Sequence, residues 1–219
     1  MGTLVPFRDT VKLLGVTLDS ALHGPARHRG CLQLQLSHTG TAGHPTVTDA
    51  RCCQDAGTQH VISRLDYANA LLSGTTSGNL DTLQVAQNSL ARVVCQASRS
   101  ASATELRRQL HWLSIRQRIA YKLAVITYYR TRSTGIPVYL TDLIKNYHPS
   151  RTLRSADKLI LSVSRMTLAL SAKAFNVNAP SVWNSVSYSC RSAESFSSFW
   201  RALKTELFDT VYCERKHSV

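Results

Sequence analysis

No apolar run in this chain approaches the roughly 18 uninterrupted residues that a membrane-crossing helix needs, so a span is not expected. The opening MGTLVPFRDT lacks a basic stretch leading into an apolar core, which argues against a secretory signal. Gly2 follows Met1, but Pro6 stands where N-myristoylation wants Ser or Thr. Gly-x-Ser-x-Gly, Gly-x-x-x-x-Gly-Lys and Gly-x-Gly-x-x-Gly are all missing, so hydrolase, P-loop and dinucleotide readings have no motif to rest on. Acidic residues are scarce, 13 against 26 Lys and Arg, and no two aspartates are adjacent. The cysteines Cys31, Cys52, Cys53, Cys95, Cys190 and Cys213 are scattered, which reads as free thiols in a reducing, intracellular compartment.

What is present is positive charge. A formal net charge of +13 and a pI near 9.9 favour a polyanionic partner, with RNA or DNA ahead of an anionic membrane surface. At 219 residues and 43% hydrophobic, the chain can build a modest core in one or two domains.

The pattern changes along the chain. Val11, Leu13 and Leu14, then Gly15 and Val16 to Leu18, read as a strand and a turn, with Gly15 marking a bulge or close backbone approach. Residues 22–60 have almost no apolar periodicity and hold His23, His28, His38, His44 and His60, so loop or disorder is expected. From Val61 onward the spacing turns helical. Leu80, Leu83, Gln87, Leu90 and Val94 predict an amphipathic helix over 79–97. Ser102 with Glu105, and Ser114 with Gln117, are capping-box pairs that open two further helices. The first runs through Leu110; the second carries Ile115, Ile119, Leu123, Ile126 and Tyr129 down one face. Gly135 closes that region and Pro137 starts another helix with Leu140, Leu143 and Ile144 inside. Leu159–Val163 and Met166–Leu170 suggest a hairpin, and Pro180 with Trp183 a packed turn or single helical turn. A last helix over 194–209 gathers Phe196, Phe199, Trp200, Leu203, Leu207 and Phe208 on one side, before a fraying tail.

Cys31, His38, His44, Cys52, Cys53 and His60 raise the question of zinc. Structural zinc sites draw on closely spaced Cys and His pairs. Adjacent Cys52 and Cys53 cannot easily share a tetrahedral site, and the His38–His44 spacing is too long, so no metal is expected.

Ordered blocks then carry a resemblance. They are SRLDYANALLSG (63–74), LDTLQVAQNSLARVVC (80–95), LRRQLHWLSIRQRIAYKLAVITY (106–128), PVYLTDLIKNYHPSRTLRS (137–155), SAKAFNVNAPSVWNSV (171–186) and FWRALKTELF (199–208), preceded by VKLLGVTLDS. Together they resemble the part downstream of the polymerase motifs in non-LTR (LINE-type) retrotransposon reverse transcriptases, most nearly the jockey-like and chicken-repeat branches. VKLLGVTLDS looks like the hairpin after the palm that helps hold the primer end in that family. Two departures stand out. Ser114 replaces the family's usual Pro, and remains an acceptable N-cap. Residues 22–60 lack the family's helical, apolar-patterned segment, as text read in a shifted frame would.

The resemblance implies a mainly α fold: a thumb-like helical bundle with a short N-terminal strand or hairpin and a small irregular α+β C-terminal region. The expected layout is 1–21 as hairpin remnant, 22–60 as loop, 61–134 as thumb-like domain, 135–210 as helical and irregular, and 211–219 as tail. Template-directed polymerisation needs carboxylates that hold two metal ions. The family's aromatic-Ala-Asp-Asp turn is not in these residues, and Asp9 and Asp19 lie on the wrong side of where it would stand. Asp66 beside Arg64 reads as a helix-end or ion-pairing acid. The expectation is therefore a catalytically inactive fragment with no cofactor, metal or small-molecule substrate.

Its expected partner is an RNA or DNA backbone, bound weakly and without sequence preference. Candidate contacts are Arg107, Arg108, Arg116, Arg118, Lys122, Arg130 and Arg132, with Arg151 and Arg154 in the irregular region beside Lys158 and Arg165. Arg118 and Lys122, four apart, share a helix face that Ile115 and Ile119 avoid. A thumb helix of this kind would track phosphates without reading bases. His111, Trp112, Tyr121 and Tyr128 lie among these cations and could stack or reach sugars, although Trp112 and Trp183 fit core anchors better. The simpler alternative is that the charges only solvate a helical surface. Two other functional readings stay open: a degraded element copy with no protein function, and a helical module that binds protein. If an absent palm normally covers Phe196, Phe199 and Trp200, their exposure would drive self-association.

Overall fold

The chain is mainly α-helical. The computed structural model describes residues 10–13, 16–19, 58–132, 142–148, 159–164 and 174–213, with 10–13, 16–19, Arg130 and Arg132 described only in their backbone. Strands β1 (Thr10–Leu13) and β2 (Val16–Asp19) pair antiparallel from Thr10↔Asp19 to Leu13↔Val16, so this run is a hairpin and not a single strand. Only Leu14 and Gly15 separate the paired ends, a length that suits a tight hairpin connection. The bulge expected at Gly15 lies outside the described residues, as does the loop expected over 22–57. Residues 58–60 belong to a helix, α1 (58–66), and not to that loop.

The described residues fall into two compact units, one of 1–68 with 75–106, the other of 69–74 with 107–219. In the first unit α1 buries Val61 and Leu65. Helix α2 (Ser77–Val94) buries Leu80, Leu83, Ala86, Gln87, Leu90 and Ala91, the stripe that a 3.6-residue repeat dictates. It ends in a Schellman motif. Gln96 adopts a left-handed φ of 49°, Ala97 N donates to Arg92 O at 2.9 Å and Gln96 N to Val93 O at 3.1 Å. The same motif closes α3 (Ala103–Gln109), where His111 takes φ 53° and Trp112 N donates to Arg107 O at 2.9 Å.

In the second unit, a 3-10 turn (Asn69–Leu72) packs on α4 (Ile115–Arg132). Helix α4 also packs on α5 (Phe175–Ser185) and α7 (Phe196–Tyr212), while α6 (Tyr188–Arg191) packs on α7. The core between them is Ala124, Tyr128, Ile144, Leu161, Ala179, Trp183, Val186, Cys190, Phe199 and Leu203. Its aromatics form a continuous ladder. Trp183 meets Phe199 at 5.8 Å between ring centroids, Phe199 stacks on Tyr128 at 4.3 Å, and Tyr128 meets Phe196 at 5.9 Å.

One expectation is corrected here. Pro180 and Trp183 sit inside the eleven-residue helix α5 and not in a turn; Pro180 is fully buried, and that burial opposes the cost of its missing N–H. Leu161 bridges antiparallel to Asn146, upstream. The expected partner 166–170 is outside the described residues, and so are most of the helix expected from Pro137 and the tail 214–219. Asn184 fastens the 159–164 segment to α5: its Nδ2 donates to Leu161 O at 2.8 Å and its Oδ1 accepts from Leu161 N at 2.9 Å. Trp183 Nε1 adds a bond to Leu159 O at 2.8 Å.

Candidate nucleic-acid interface

Helix α4 sorts its residues by chemistry. Ile115, Ile119, Leu123, Ala124 and Tyr128 are buried, whereas Arg116 and Lys122 are exposed. Tyr128, and not Tyr129, closes the inward face; Tyr129 is 38% exposed. The N-terminal half of α4 opens with Arg118 N donating to Ser114 O at 2.9 Å. The reciprocal half of the expected capping box is not made, because Gln117 Oε1 is buried without a hydrogen-bond partner.

The candidate cations separate into four groups. Arg108, Arg116 and Lys122 are exposed and able to meet phosphates. Arg118 is half-buried and donates Nε to Leu113 O at 3.1 Å, so part of its guanidinium supports the turn that enters α4. Arg107 is only 7% exposed, in the interior, where phosphate contact is sterically closed. Arg130 and Arg132 lie on the last turn of α4, with side chains outside the described residues, and Arg151, Arg154, Lys158 and Arg165 are likewise outside.

The interleaved aromatics are mostly structural. Tyr128 is buried within the ladder and its hydroxyl donates to Ala193 O at 3.4 Å. Tyr121 is half-buried with an unpartnered hydroxyl, and burial pushes its pKa up to about 12. His111 is exposed but stacks on Phe208 at 5.7 Å, and the half-buried Trp112 receives the Tyr212 hydroxyl on its carbonyl at 2.8 Å. Trp183 is the core anchor that its size suggested. Sequence reasoning set Tyr129 and the 43% exposed Trp200 on apolar faces, yet both reach the surface, as do Tyr67, Tyr147 and Tyr188.

Elsewhere, an open groove of about 760 Å³ runs along α6 and α7, lined by Ser187, Cys190, Glu206, Asp209 and Cys213 among others. Its chemistry is already engaged in holding the fold. Glu206 accepts from Ser187 N at 2.8 Å and from Ser187 Oγ at 2.6 Å, and Asp209 accepts from the Cys213 thiol at 3.4 Å. Burial first, and Glu206 second, push the Cys190 thiol up to about 11, so at neutral pH it is a protonated and poor nucleophile. Among the described residues no cluster of His, Cys, Asp and Glu is arranged to hold a metal ion. Of the sequence's zinc candidates only the exposed His60, in α1, is described. No described helix is long and apolar enough to cross a membrane.

No protein-family model, no curated protein and no solved structure matches this chain.

Proposed function

We propose that this chain is a catalytically inactive relative of the downstream part of non-LTR retrotransposon reverse transcriptases, and that it binds RNA or DNA backbones weakly and without sequence preference. The observation that carries the reading is the segregation on α4, with Arg116 and Lys122 exposed on a helix whose Ile115, Ile119 and Leu123 are buried. The formal net charge of +13 and the ordered blocks over 63–208 support it. These residues carry no paired aspartates, so the metal-held carboxylates of a polymerase would have to come from elsewhere.

A fluorescence-anisotropy titration against duplex and single-stranded oligonucleotides at two salt concentrations tests the reading. Affinity should fall steeply with salt, with each phosphate contact contributing a slope of about 0.7–0.9 in the log–log plot. Absent or salt-insensitive binding would contradict it. A monodisperse complex with a protein partner and no affinity for nucleic acid would favour the interaction-module reading instead.

A further inference from the structure

The aromatic ladder does not stop at the core. From Trp183 and Phe199 it passes through Tyr128 to the half-buried Phe196, and Phe196 meets Tyr129 with ring centroids 4.7 Å apart and planes inclined by 31°. Tyr129 is on the surface. Four residues beyond Phe196 on α7 comes Trp200, one helical turn away and therefore its neighbour on the helix face. Trp200 is also on the surface, although it is among the largest apolar side chains in the unit.

Cations lie near these rings on both helices, with the exposed Glu194 two residues before Phe196. On α7, where residues advance about 100° each, Lys204 lies one turn beyond Trp200 on the same side, and Arg201 is adjacent to it. Both are exposed. Glu206 and Asp209 fall across the helix from Lys204, facing the groove beside α6, and Glu206 is occupied by Ser187. On α4, Tyr129 stands seven residues after Lys122, two turns along the same face. Tyr129 thus shares its face of α4 with Lys122, and Trp200 is met on α7 by Lys204 and Arg201.

From this arrangement we infer that Tyr129, Phe196 and Trp200 form a stacking platform for the bases of single-stranded RNA or DNA. This deepens the backbone-binding reading, on whose exposed α4 cations it rests. Rings exposed beside cations are what unpaired bases use: each base presents a π-face, and the phosphates follow the flanking Lys and Arg. A duplex keeps its bases stacked inside and cannot use such rings, so the platform discriminates strand state where the α4 cations alone do not. The buried rungs hold Phe196 and Tyr129 in place, which lowers the ordering cost of stacking on them.

The test compares a single-stranded oligo-thymidine of about 15 nucleotides, within the usual footprint of such sites, with a blunt duplex of equal length. Wild type should prefer the single strand, and its binding should quench tryptophan fluorescence. Trp200→Ala should weaken single-strand binding by about 5- to 100-fold and leave duplex binding nearly unchanged. Trp200→Phe should retain most of the affinity, whereas Trp200→Leu, which keeps apolar area without a π-face, should not. Thermal melting checks that each variant folds. Equal effects of Trp200→Ala on both ligands, full affinity in Trp200→Leu, or loss of self-association without loss of single-strand binding would overturn the platform. Salt-dependent duplex binding with no single-strand preference would defeat the platform alone, whereas no binding of either ligand would defeat the backbone-binding reading beneath it.

Discussion

Helices α2 and α4 are both 18 residues long, and each buries a regular apolar stripe, yet their outward faces differ in kind. On α2 the solvent side is nearly uncharged: Asp81 and Arg92 are its only ionisable residues, and Val85 and Val93 stand exposed among Ser, Thr, Gln and Asn. On α4 the solvent side carries Arg116 and Lys122, and its inner face meets aromatic rings from α7 where α2 buries Leu, Ala and Gln. Amphipathicity alone therefore assigns no role. A helix that only needs to pack can leave its outer face neutral, while cations brought to the surface have electrostatic consequences at a distance.

The largest expected effect separates the two cores. Phe199→Ala removes the ring between Trp183 and Tyr128 and should lower stability by about 3–5 kcal/mol in chemical denaturation, loosening the α4–α7 contact. Retained stability would mean that the ladder is not the centre of its unit. Next is Asn184→Ala, which strips both backbone partners from Leu161 and should cost about 1–3 kcal/mol. It should also raise amide exchange at Leu161 more than anywhere on α2. A change of the opposite sign is expected at the end of α2. Gln96→Gly relieves a left-handed non-glycine residue and should stabilise by about 1 kcal/mol, read as a higher melting temperature. Least of all, Val93→Ser on the outer face of α2 should shift stability by less than about 0.5 kcal/mol. A larger loss would show that this face is covered by something and would end its contrast with α4.

Much of the helical framework was legible because one helix reports its own periodicity. Leu80, Leu83, Gln87 and Leu90 are four points of one repeat, and Ile115, Ile119 and Leu123 three of another. The capping pair at Ser114 marked the start of α4 correctly even though Gln117 does not complete the box. What stayed hidden depends on other elements. Adjacent Tyr128 and Tyr129 are chemically alike, and only the arrival of Phe199 and Phe196 decides which is buried. Trp200 flanks a stripe whose inward edge is set by α4, so its exposure has no local signal. Pro180 misled for a related reason: its local penalty is real, but burial in the folded unit outweighs it. For the candidate site, the α4 cations could be named from charge and spacing, but not that Arg107 turns inward or that Arg118 binds Leu113 O.

The central claim is that the position of charge on α4, and not net charge, governs nucleic-acid affinity. Two double variants test it directly. Arg116→Gln with Lys122→Gln, and Val85→Glu with Val93→Glu, each lower the formal net charge of +13 by two, the first on α4 and the second on α2. Salt-dependent affinity for one oligonucleotide is measured for both. The account predicts that the α4 pair loses affinity and about 1.4–1.8 of the log–log salt slope, roughly 0.7–0.9 for each phosphate contact, while the α2 pair stays close to wild type. Equal losses in the two variants would contradict it.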